Sequence, residues 1–537
     1  MGRSITKASW GLWLLAVLPL VLFGLVPLVT LVWSALTTGG LGSLRQFDTW
    51  ALLGRSLGFA GLVAALACIA GGSAGYALAA RRFRGRAILV VALSLPLVLP
   101  PYVHAVGWTA LFAPARPVSG LIESTLGVTP GQLTEFVYSF PAAAAVLSLA
   151  LMPVPFLFVF AAMSAAPYTL VEAAQNMGAG PLRVFIVARW PFLRVAALSA
   201  ALVVFLLASA DLGVPTIFKV RVFNFEVFTQ LGAFNDTAAA AILALPLIAV
   251  GLVAAAVERV AASMFAVRGD DRDGRTEGPP SRLGSVLAVA LASLLVLLGV
   301  VAPLGAVVVE SLDSEALARA WAIAPGPAIN TVVYAGAAAI SAAAIAFVVA
   351  WLGRSDAGRG RASGFRARAT EVLMVLGFAT PGTIIAIGLL GAFGSPAVSR
   401  ILPAVALVVV ALVVRSVVVA QRVIDAGIAA IPDSLIEAAQ VAGASGTRIV
   451  RSIVIPLVAP HLAVALAAAF ILSSAEIGST ILLYPPGGET LPIALYAVEA
   501  NSPRSLVAAL TMMLVGLPLA TATMAAGVLA VVRRRFT

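Results

Sequence analysis

Two acidic residues occupy matched positions in apolar parts of this chain. Asp211 lies in the segment Ser-Ala-Asp-Leu-Gly, and Glu476, much later in the chain, lies in Ser-Ala-Glu-Ile-Gly. A carboxylate at membrane depth is costly, so such a group generally faces a cavity, a partner or water. The pair therefore predicts a polar path for a solute. Gly213 and Gly478 would loosen the helix beside each acid and turn backbone carbonyls toward that path.

Other polar residues of the apolar segments are weaker candidates for this path. Tyr102 and His104 follow a Pro-Pro pair, which would kink a helix and free its carbonyls. Both could line the path, but kinked packing also explains them, and a hydrogen-bonded packing role is the alternative for His104. Arg415 is predicted to snorkel to the inner membrane surface. For the two acids, the alternative is structural pairing near the outer surface with Lys219 or Arg221.

A second matched pair of segments, in the same register as the two acids, is polar and lies between apolar ones. Residues 172–179 read Glu-Ala-Ala-Gln-Asn-Met-Gly-Ala, and residues 437–444 read Glu-Ala-Ala-Gln-Val-Ala-Gly-Ala. A proline precedes each copy, Thr169 and Ser434 could cap a helix, the acid would lie in its first turns, and the glycine would end it. The alternative is an ordinary loop with solvated charges. The candidate docking residues are Glu172, Ala173, Ala174, Gly178 and Arg183 in the first copy, and Glu437, Ala438, Ala439, Gly443 and Arg448 in the second.

The sequence lacks the motifs of several kinds of catalytic site. Its two lysines, Lys7 and Lys219, follow Thr6 and Phe218, so no Gly-x-x-x-x-Gly-Lys-Ser/Thr phosphate loop exists. Cys68 is the single cysteine, which excludes a disulfide framework and a cysteine-based metal site. We therefore predict no catalytic residues, no metal site and no cofactor in this chain.

The elements that must position these residues are transmembrane helices. Hydrophobic residues make up 61% of the 537 and charged residues 11%, which predicts an all-α polytopic membrane protein rather than a soluble one. Continuous apolar runs long enough to cross a bilayer recur along the chain, unlike the alternating strands of a membrane barrel. The twelve predicted spans are 11–36, 53–80, 87–113, 138–165, 193–218, 237–265, 284–310, 330–353, 370–394, 401–424, 457–483 and 505–532.

Positive charge predicts how these spans are oriented. With both termini in the cytoplasm, 25 of the 34 lysines and arginines lie on the inner side and eight on the outer side, as expected for short cytoplasmic loops. This topology places both Glu-Ala-Ala segments in the cytoplasm. It also accounts for the net charge of +11 without nucleic acid. The predicted external loops are 37–52, 114–137, 219–236, 311–329 and 484–504.

The twelve spans divide into two parallel modules of six helices. The first module covers 1–267, a flexible cytoplasmic linker covers 268–283, and the second module covers 284–537. Each module carries one Glu-Ala-Ala segment between its fourth and fifth spans. Both modules begin and end in the cytoplasm, so the repeat is parallel rather than inverted.

The Glu-Ala-Ala segments resemble the signature of the permease subunits of bacterial binding-protein-dependent ABC importers. In the second copy the pattern continues to Ile453, Ile455 and Pro456, whereas the first has Ala188 and Trp190 at the aliphatic positions. The resemblance implies a type I importer permease fold in the inner membrane. It also implies that coupling helices, at about 167–180 and 432–445, dock on two copies of an ATPase subunit, which bind the ATP and magnesium.

The segments around the two acids are similar to those of the fused iron(III) permeases, a group close to other importers. The resemblance implies a translocation pathway for cargo that a periplasmic or extracytoplasmic binding protein delivers, most directly iron(III). Thiamine, phosphonate, sugar-phosphate and polyamine remain alternative cargoes. An ion-coupled secondary transporter, with the two acids as ion sites, is the alternative class, but it leaves the cytoplasmic repeat unexplained. A membrane enzyme is a third class, and no ligand set or nucleophile favours it.

Overall fold

The computed structural model describes residues 2–37, 48–81, 83–114, 116–264, 282–356 and 361–536. Those ranges fold into helices and contain no strand, which confirms the all-α prediction. Of the predicted linker 268–283, the residues before Arg282 lie outside the described ranges.

The first half of the chain folds into long apolar helices joined by short ones. Short helices also occur in segments 114–137 and 219–236, which the sequence predicted as loops. The helices are α1 (Gly2–Leu20), α2 (Val26–Thr37), α3 (Thr49–Ala67), α4 (Ser73–Ala79), α5 (Arg86–Ser94), α6 (Pro101–Leu111), α7 (Pro117–Leu126), α8 (Pro130–Val137), α9 (Phe140–Leu151), α10 (Pro153–Ala165), α11 (Tyr168–Asn176), α12 (Pro181–Val184), α13 (Trp190–Ala210), α14 (Gly213–Ile217), α15 (Phe223–Gly232) and α16 (Thr237–Met264).

The second half repeats this plan with fewer short helices. Segments 311–329 and 484–504 again contain helices where the sequence predicted loops. The helices are α17 (Arg282–Val296), α18 (Ala302–Ser311), α19 (Ser314–Ile323), α20 (Pro325–Asp356), α21 (Arg361–Ala379), α22 (Gly382–Phe393), α23 (Pro396–Ser399), α24 (Ala404–Ala429), α25 (Asp433–Val441), α26 (Gly446–Ile449), α27 (Ile455–Ser474), α28 (Thr480–Leu483), α29 (Leu491–Glu499) and α30 (Arg504–Phe536).

These helices account for all twelve predicted spans. Among the described residues, nine helical segments are long and apolar enough to cross a bilayer, and four bent pairs of helices bring the number to as many as thirteen. Each predicted span overlaps one or two of them. The chain is therefore a multi-pass membrane protein.

Spans three and nine are broken in the middle. Arg86–Leu97 meets Pro101–Leu111 at 95°, and Phe365–Ala379 meets Gly382–Phe393 at 108°. The breaks fall at Pro100-Pro101 and Thr380-Pro381, where proline removes a backbone donor and disfavours the helical conformation of the residue before it. The predicted kinks are thus sharp enough to redirect the chain.

Spans five and eleven are shorter than predicted. The sequence predicts continuous helix to residues 218 and 483, but α13 ends at Ala210 and α27 ends at Ser474. The Asp211 carboxylate accepts a hydrogen bond from the Val214 N–H, 2.9 Å away, and so begins a new helical turn instead of continuing the old one. Both acids consequently lie at helix breaks.

Within the described ranges, five long helical segments contain a π-helical turn, and two of these turns match between the halves. Phe185–Arg189 and Val450–Val454 keep the same register along the chain as the two acids. Each turn lies between a Glu-Ala-Ala segment and the long helix that ends at an acid. A π turn holds one extra residue per turn and often occurs at functional sites.

The two halves exchange their first spans. In α2, Leu28 and Leu31 are buried in one cluster with Ile384 and Ile387 of α22. Reciprocally, α17 buries alanines and a leucine against α4 and α10, and α18 lies along α6. Because the first helix of each half packs on the other half, the halves share their hydrophobic cores.

Candidate functional site: the central cavity and the repeat helices

Three helix breaks line a small cavity between the two halves, here called the central cavity. Its volume is about 140 Å³, and its walls come from residues 96–102, 210–213 and 475–478, together with residues of α9, α13, α24 and α27. Five of the six predicted pathway residues line it. They are Tyr102, Asp211, Gly213, Glu476 and Gly478.

Glu476 forms a buried ion pair with Arg415, and the two side chains are 11% and 8% exposed. Arg415 Nε lies 2.9 Å from Glu476 Oε2, although its N–H is not aligned for a hydrogen bond. The same guanidinium donates from Nη1 to the Thr380 carbonyl at 2.9 Å, which the break between α21 and α22 frees. The predicted snorkelling of Arg415 is therefore wrong, because its charge is neutralised inside the protein.

Asp211 has no basic side chain in contact among the described residues. Its Oδ1 accepts the hydrogen bond from Val214, and Glu476 Oε1 accepts an equivalent one from the Ser479 N–H at 3.1 Å. The position that corresponds to Arg415 in the register of the two acids is Ala150, which also lines the cavity. Of the two acids at the cavity, Glu476 is neutralised by Arg415, and Asp211 has no ion-pair partner among the described residues.

Lys219 and Arg221 are engaged elsewhere. Arg221 Nη2 donates to Glu226 Oε2 at 2.9 Å, and the Lys219 ammonium lies over the ring of Tyr138. The alternative pairing of the two acids with these residues is therefore not found in the structure.

The two glycines allow close packing at the cavity wall. A Cβ atom on Gly213 would lie 2.9 Å from the Tyr102 Cβ, and one on Gly478 would lie 3.4 Å from the Thr383 amide nitrogen. The Tyr102 hydroxyl is buried and has no hydrogen-bond partner among the described residues. Tyr102 therefore adds an unsatisfied polar group to the same wall of the cavity.

Asn224 joins the two halves beside this cavity. Its Nδ2 donates to the Ala210 carbonyl at 3.0 Å, and its Oδ1 accepts a hydrogen bond from Thr383 Oγ1. The contact satisfies a carbonyl that is left free where α13 ends. Sequence reasoning missed this residue because α15 falls in a segment predicted as a loop.

His104 lies apart from the other candidates. It is fully buried, its Nε2 lies 2.9 Å from the Gly299 carbonyl of the other half, and it does not line the central cavity. This geometry corresponds to the hydrogen-bonded packing role.

The two Glu-Ala-Ala segments form short helices with matching backbones, α11 and α25. Gly178 and Gly443 follow them with φ of 77° and 80°, in the left-handed region that glycine tolerates best, so the predicted ends are confirmed. The predicted caps are wrong: the N-cap residues are Pro167 and Pro432, without a side-chain hydrogen bond. Each Glu is the fifth helical residue, at the start of the second turn.

The exposed faces of these two helices carry charge and apolar groups together. Glu172, Glu437, Arg183 and Arg448 are exposed and form no ion pair with any other described residue. Apolar side chains beside them are exposed as well: Met177 is 85% exposed and Val441 is 89% exposed. Such a combination on two matching helices is typical of a docking surface. Their placement on the same, cytoplasmic side of the membrane stays a prediction.

Ala174 and Ala439 face inward to different degrees. Ala174 is buried with Tyr168 and Val171, whereas α25 has no buried residue. Instead, Arg354 Nη2 donates to the Ile431 carbonyl at 2.7 Å and to Asp433 Oδ1 at 2.6 Å, at the start of α25. The first repeat helix is held by buried apolar side chains, and the second by partly buried Ile436 and Ala439 together with a polar clamp.

Residues 357–532 match the family described as the binding-protein-dependent transport system inner membrane component. The match covers most of the second half, from the residues before α21 into α30. The chain is also 25% identical over 410 residues to the ferric transport system permease protein FbpB of Actinobacillus pleuropneumoniae, and 24% identical over 408 residues to FbpB 1 of Haemophilus influenzae. An ABC transporter permease protein, y4fN of Sinorhizobium fredii, is 25% identical over 453 residues.

The similarity to these permeases extends beyond the matched domain. The FbpB alignments each cover 72% of this chain, so they include part of the first half as well as the second. They span 58% and 63% of the two FbpB proteins, and the y4fN alignment spans 79% of this chain and 78% of its relative. The alignments therefore extend over parts of both halves of the chain.

Proposed function

We propose that this chain is the transmembrane permease subunit of an ABC importer of the type I fold, with the central cavity on its translocation pathway. The observation that carries the proposal is the pair of exposed repeat helices, which share their backbone geometry and lie in register at the ends of matching spans. Each helix would seat in a separate ATPase subunit. ATP hydrolysis would then reside in two copies of that partner, which also bind magnesium.

The proposed orientation follows from charge and from the repeat helices together. The side with α11 and α25 would face the cytoplasm, together with both termini, and the opposite side would receive a periplasmic or extracytoplasmic binding protein. Closure of the ATPases would move α11 and α25. Because α12 and α26 continue through matching π turns into α13 and α27, that movement would reach the breaks at Asp211 and Glu476.

The charges of the central cavity favour a cationic cargo. Arg415 neutralises Glu476, and Asp211 has no ion-pair partner among the described residues, so acidic side chains outnumber basic ones in the site. Among the described residues, no group of three or more His, Cys, Asp or Glu side chains is placed to hold a metal ion. Weak binding suits a pathway, because the cargo must also leave. Two relatives are ferric permeases by name, and iron(III) is therefore the proposed cargo.

The coupling role is tested by charge reversal on both repeat helices. We expect Glu172→Arg plus Glu437→Arg to abolish the ATP hydrolysis that the binding protein stimulates in the reconstituted complex with its ATPase, because two docking contacts change sign. A matched control is Glu315→Arg plus Glu135→Arg, two exposed acids outside the repeat helices, and the ATPase should co-purify with this control but not with the first variant. Stimulated hydrolysis that survives in the first variant would overturn the proposal.

The cargo is tested by uptake into proteoliposomes that contain the whole complex. Radioactive iron(III) should accumulate in an ATP-dependent manner, and thiamine, 2-aminoethylphosphonate, a sugar phosphate and a polyamine should not compete. Accumulation of one of these solutes without iron would preserve the importer assignment and replace the cargo.

A further inference from the structure

The central cavity borders a second pocket, here called the outer pocket. The two share Tyr102, Gly213 and Ile477, and the other walls of the outer pocket come from α6, α14 and α29. The volume of the outer pocket is about 10 Å³, which is no more than one water molecule needs. A larger solute therefore cannot pass from one pocket to the other in this structure, and the shared residues form the barrier.

The outer pocket lies on the side of the molecule away from the repeat helix α25. Helix α20 connects the two sides. Near its end, Arg354 is bonded to Asp433 at the start of α25, and near its start, Thr331 Oγ1 accepts a hydrogen bond from the Leu491 N–H of α29 at 2.8 Å. The helix between Thr331 and Arg354 is about 35 Å long. A solute that enters from the side of α29 must therefore cross the barrier before it meets Asp211.

The ring of Tyr102 lies against the bare backbone of Gly213 in this barrier. A Cβ on Gly213 would lie 2.9 Å from the Tyr102 Cβ and 3.4 Å from its Cδ1, so the ring takes the space that a side chain would need. Tyr102 is 3% exposed and directly follows the Pro100-Pro101 break of span three. A change of angle at that break would carry the ring away from Gly213.

The hydroxyl of Tyr102 opposes this closed arrangement. Its oxygen is buried and has no hydrogen-bond partner among the described residues. Burial of a hydroxyl without a partner costs free energy, and water would remove that cost once the ring moved into an open path. The ring thus blocks the path by its size, while the hydroxyl makes the blocked state less stable.

We propose that Tyr102 is the gate that closes the central cavity toward the side of the binding protein, and that its unsatisfied hydroxyl favours opening. This inference rests on the proposed function and adds the residue that controls access to Asp211. The gate belongs to one half, because the residue after the corresponding proline of span nine is Gly382, which lies against Glu476 without room for a side chain.

Access to the central cavity can be measured with a single cysteine. Cys68→Ala removes the one cysteine of the chain, and Ala475→Cys then places a thiol in the wall of the central cavity. A small sulfonated thiol reagent that does not cross membranes is added outside spheroplasts that contain the full chain. The labelling rate reports the fraction of molecules whose gate is open. Labelling needs neither ATPase nor cargo, so its failure is separate from failure of the hydrolysis and uptake tests.

Two substitutions of Tyr102 should change this rate in opposite directions. Tyr102→Ala should raise it about tenfold, because the ring no longer blocks the path. Tyr102→Phe keeps the ring and removes the unsatisfied hydroxyl, so it should lower the rate about fivefold. The conservative Phe variant retains the packing of the ring, which keeps the test valid if Tyr102→Ala folds poorly.

Trp108→Ala is the matched control. Trp108 is a partly buried aromatic residue on the same helix and lines neither pocket, so its removal should leave the labelling rate unchanged. An unchanged rate in either Tyr102 variant would overturn the proposal. An equal rise in Trp108→Ala and Tyr102→Ala would also overturn it, because general loosening of α6 would then explain the access.

Discussion

The two halves of this molecule share a backbone plan but carry different side chains at matched positions. At the central cavity the second half has Arg415 and Glu476, and the first half has Ala150 and Asp211 in register. Duplicated geometry therefore does not imply duplicated electrostatics. The second half contributes a neutral, fixed pair, and the first half contributes the acid that remains available to a solute.

The repeat helices show a similar contrast. Tyr168 begins α11 and is buried, and the matching residue Asp433 begins α25 and is exposed but bonded to Arg354. The first helix is stabilised by the hydrophobic effect, which salt does not screen. The second adds charge-assisted hydrogen bonds to the packing of Ile436 and Ala439, and the contribution of such bonds falls when a partner is exposed.

The largest expected effect comes from breaking the ion pair of the second half. Arg415→Leu should lower the free energy of unfolding by about 3–5 kcal/mol, because Glu476 would remain buried without its partner. Equilibrium unfolding in mixed micelles measures the change. The double variant Arg415→Leu plus Glu476→Leu should recover most of the loss.

Asp211→Asn should cost under about 1 kcal/mol, because its hydrogen bond to Val214 survives. Equal losses for Arg415→Leu and Asp211→Asn would remove the proposed difference between the halves.

A smaller effect is expected from the clamp on the second repeat helix. Arg354→Gln should raise amide hydrogen exchange in residues 433–441 about fivefold, equivalent to ~1 kcal/mol for a contact whose Asp433 partner is largely exposed. Exchange in residues 168–176 should not change. Arg189→Gln is the matched control. It removes an arginine that bonds Tyr76 in the first half at 2.7 Å, and it should leave exchange in residues 433–441 unchanged. Faster exchange in both repeat helices of the Arg354 variant would show that the clamp is not local.

The smallest effect should be the same in both halves. Gly178→Ala and Gly443→Ala place a Cβ in the left-handed region, where no neighbouring atom obstructs it, so the cost is backbone strain of about 1 kcal/mol. Hydrogen exchange of α11 and α25 should increase equally in the two single variants. Unequal increases would mean that the shared backbone is held differently at these turns.

The sequence predicted well those features that depend on local composition. Hydropathy located all twelve spans, and the Pro-Pro pair located the break of span three. It could not locate the breaks after Ala210 and Ser474, because apolar residues continue on the far side of each acid. Nor does a π turn leave a composition signal, so Phe185–Arg189 and Val450–Val454 were not anticipated.

The features that sequence reasoning missed are tertiary contacts. Arg415 and Glu476 are distant in sequence and lie in different spans, so the snorkelling prediction considered Arg415 alone. The sequence did contain a signal. Arg415 lies in one apolar span and Glu476 in another, and two opposite charges that cannot face lipid are expected to form an ion pair. The orientation of the termini, the cargo and the partners stay predictions.

The exchanged first spans have a consequence for biosynthesis. When α1 and α2 leave the ribosome, their packing surface on α20 and α22 has not been made, and the rest of the first half must follow before it exists. Nascent α2 therefore lacks its contacts with α22 until the second half is made, although α16 of the first half joins the same cluster, and cores shared in this way form late. A gene divided at the linker should consequently yield two fragments that accumulate together but not separately.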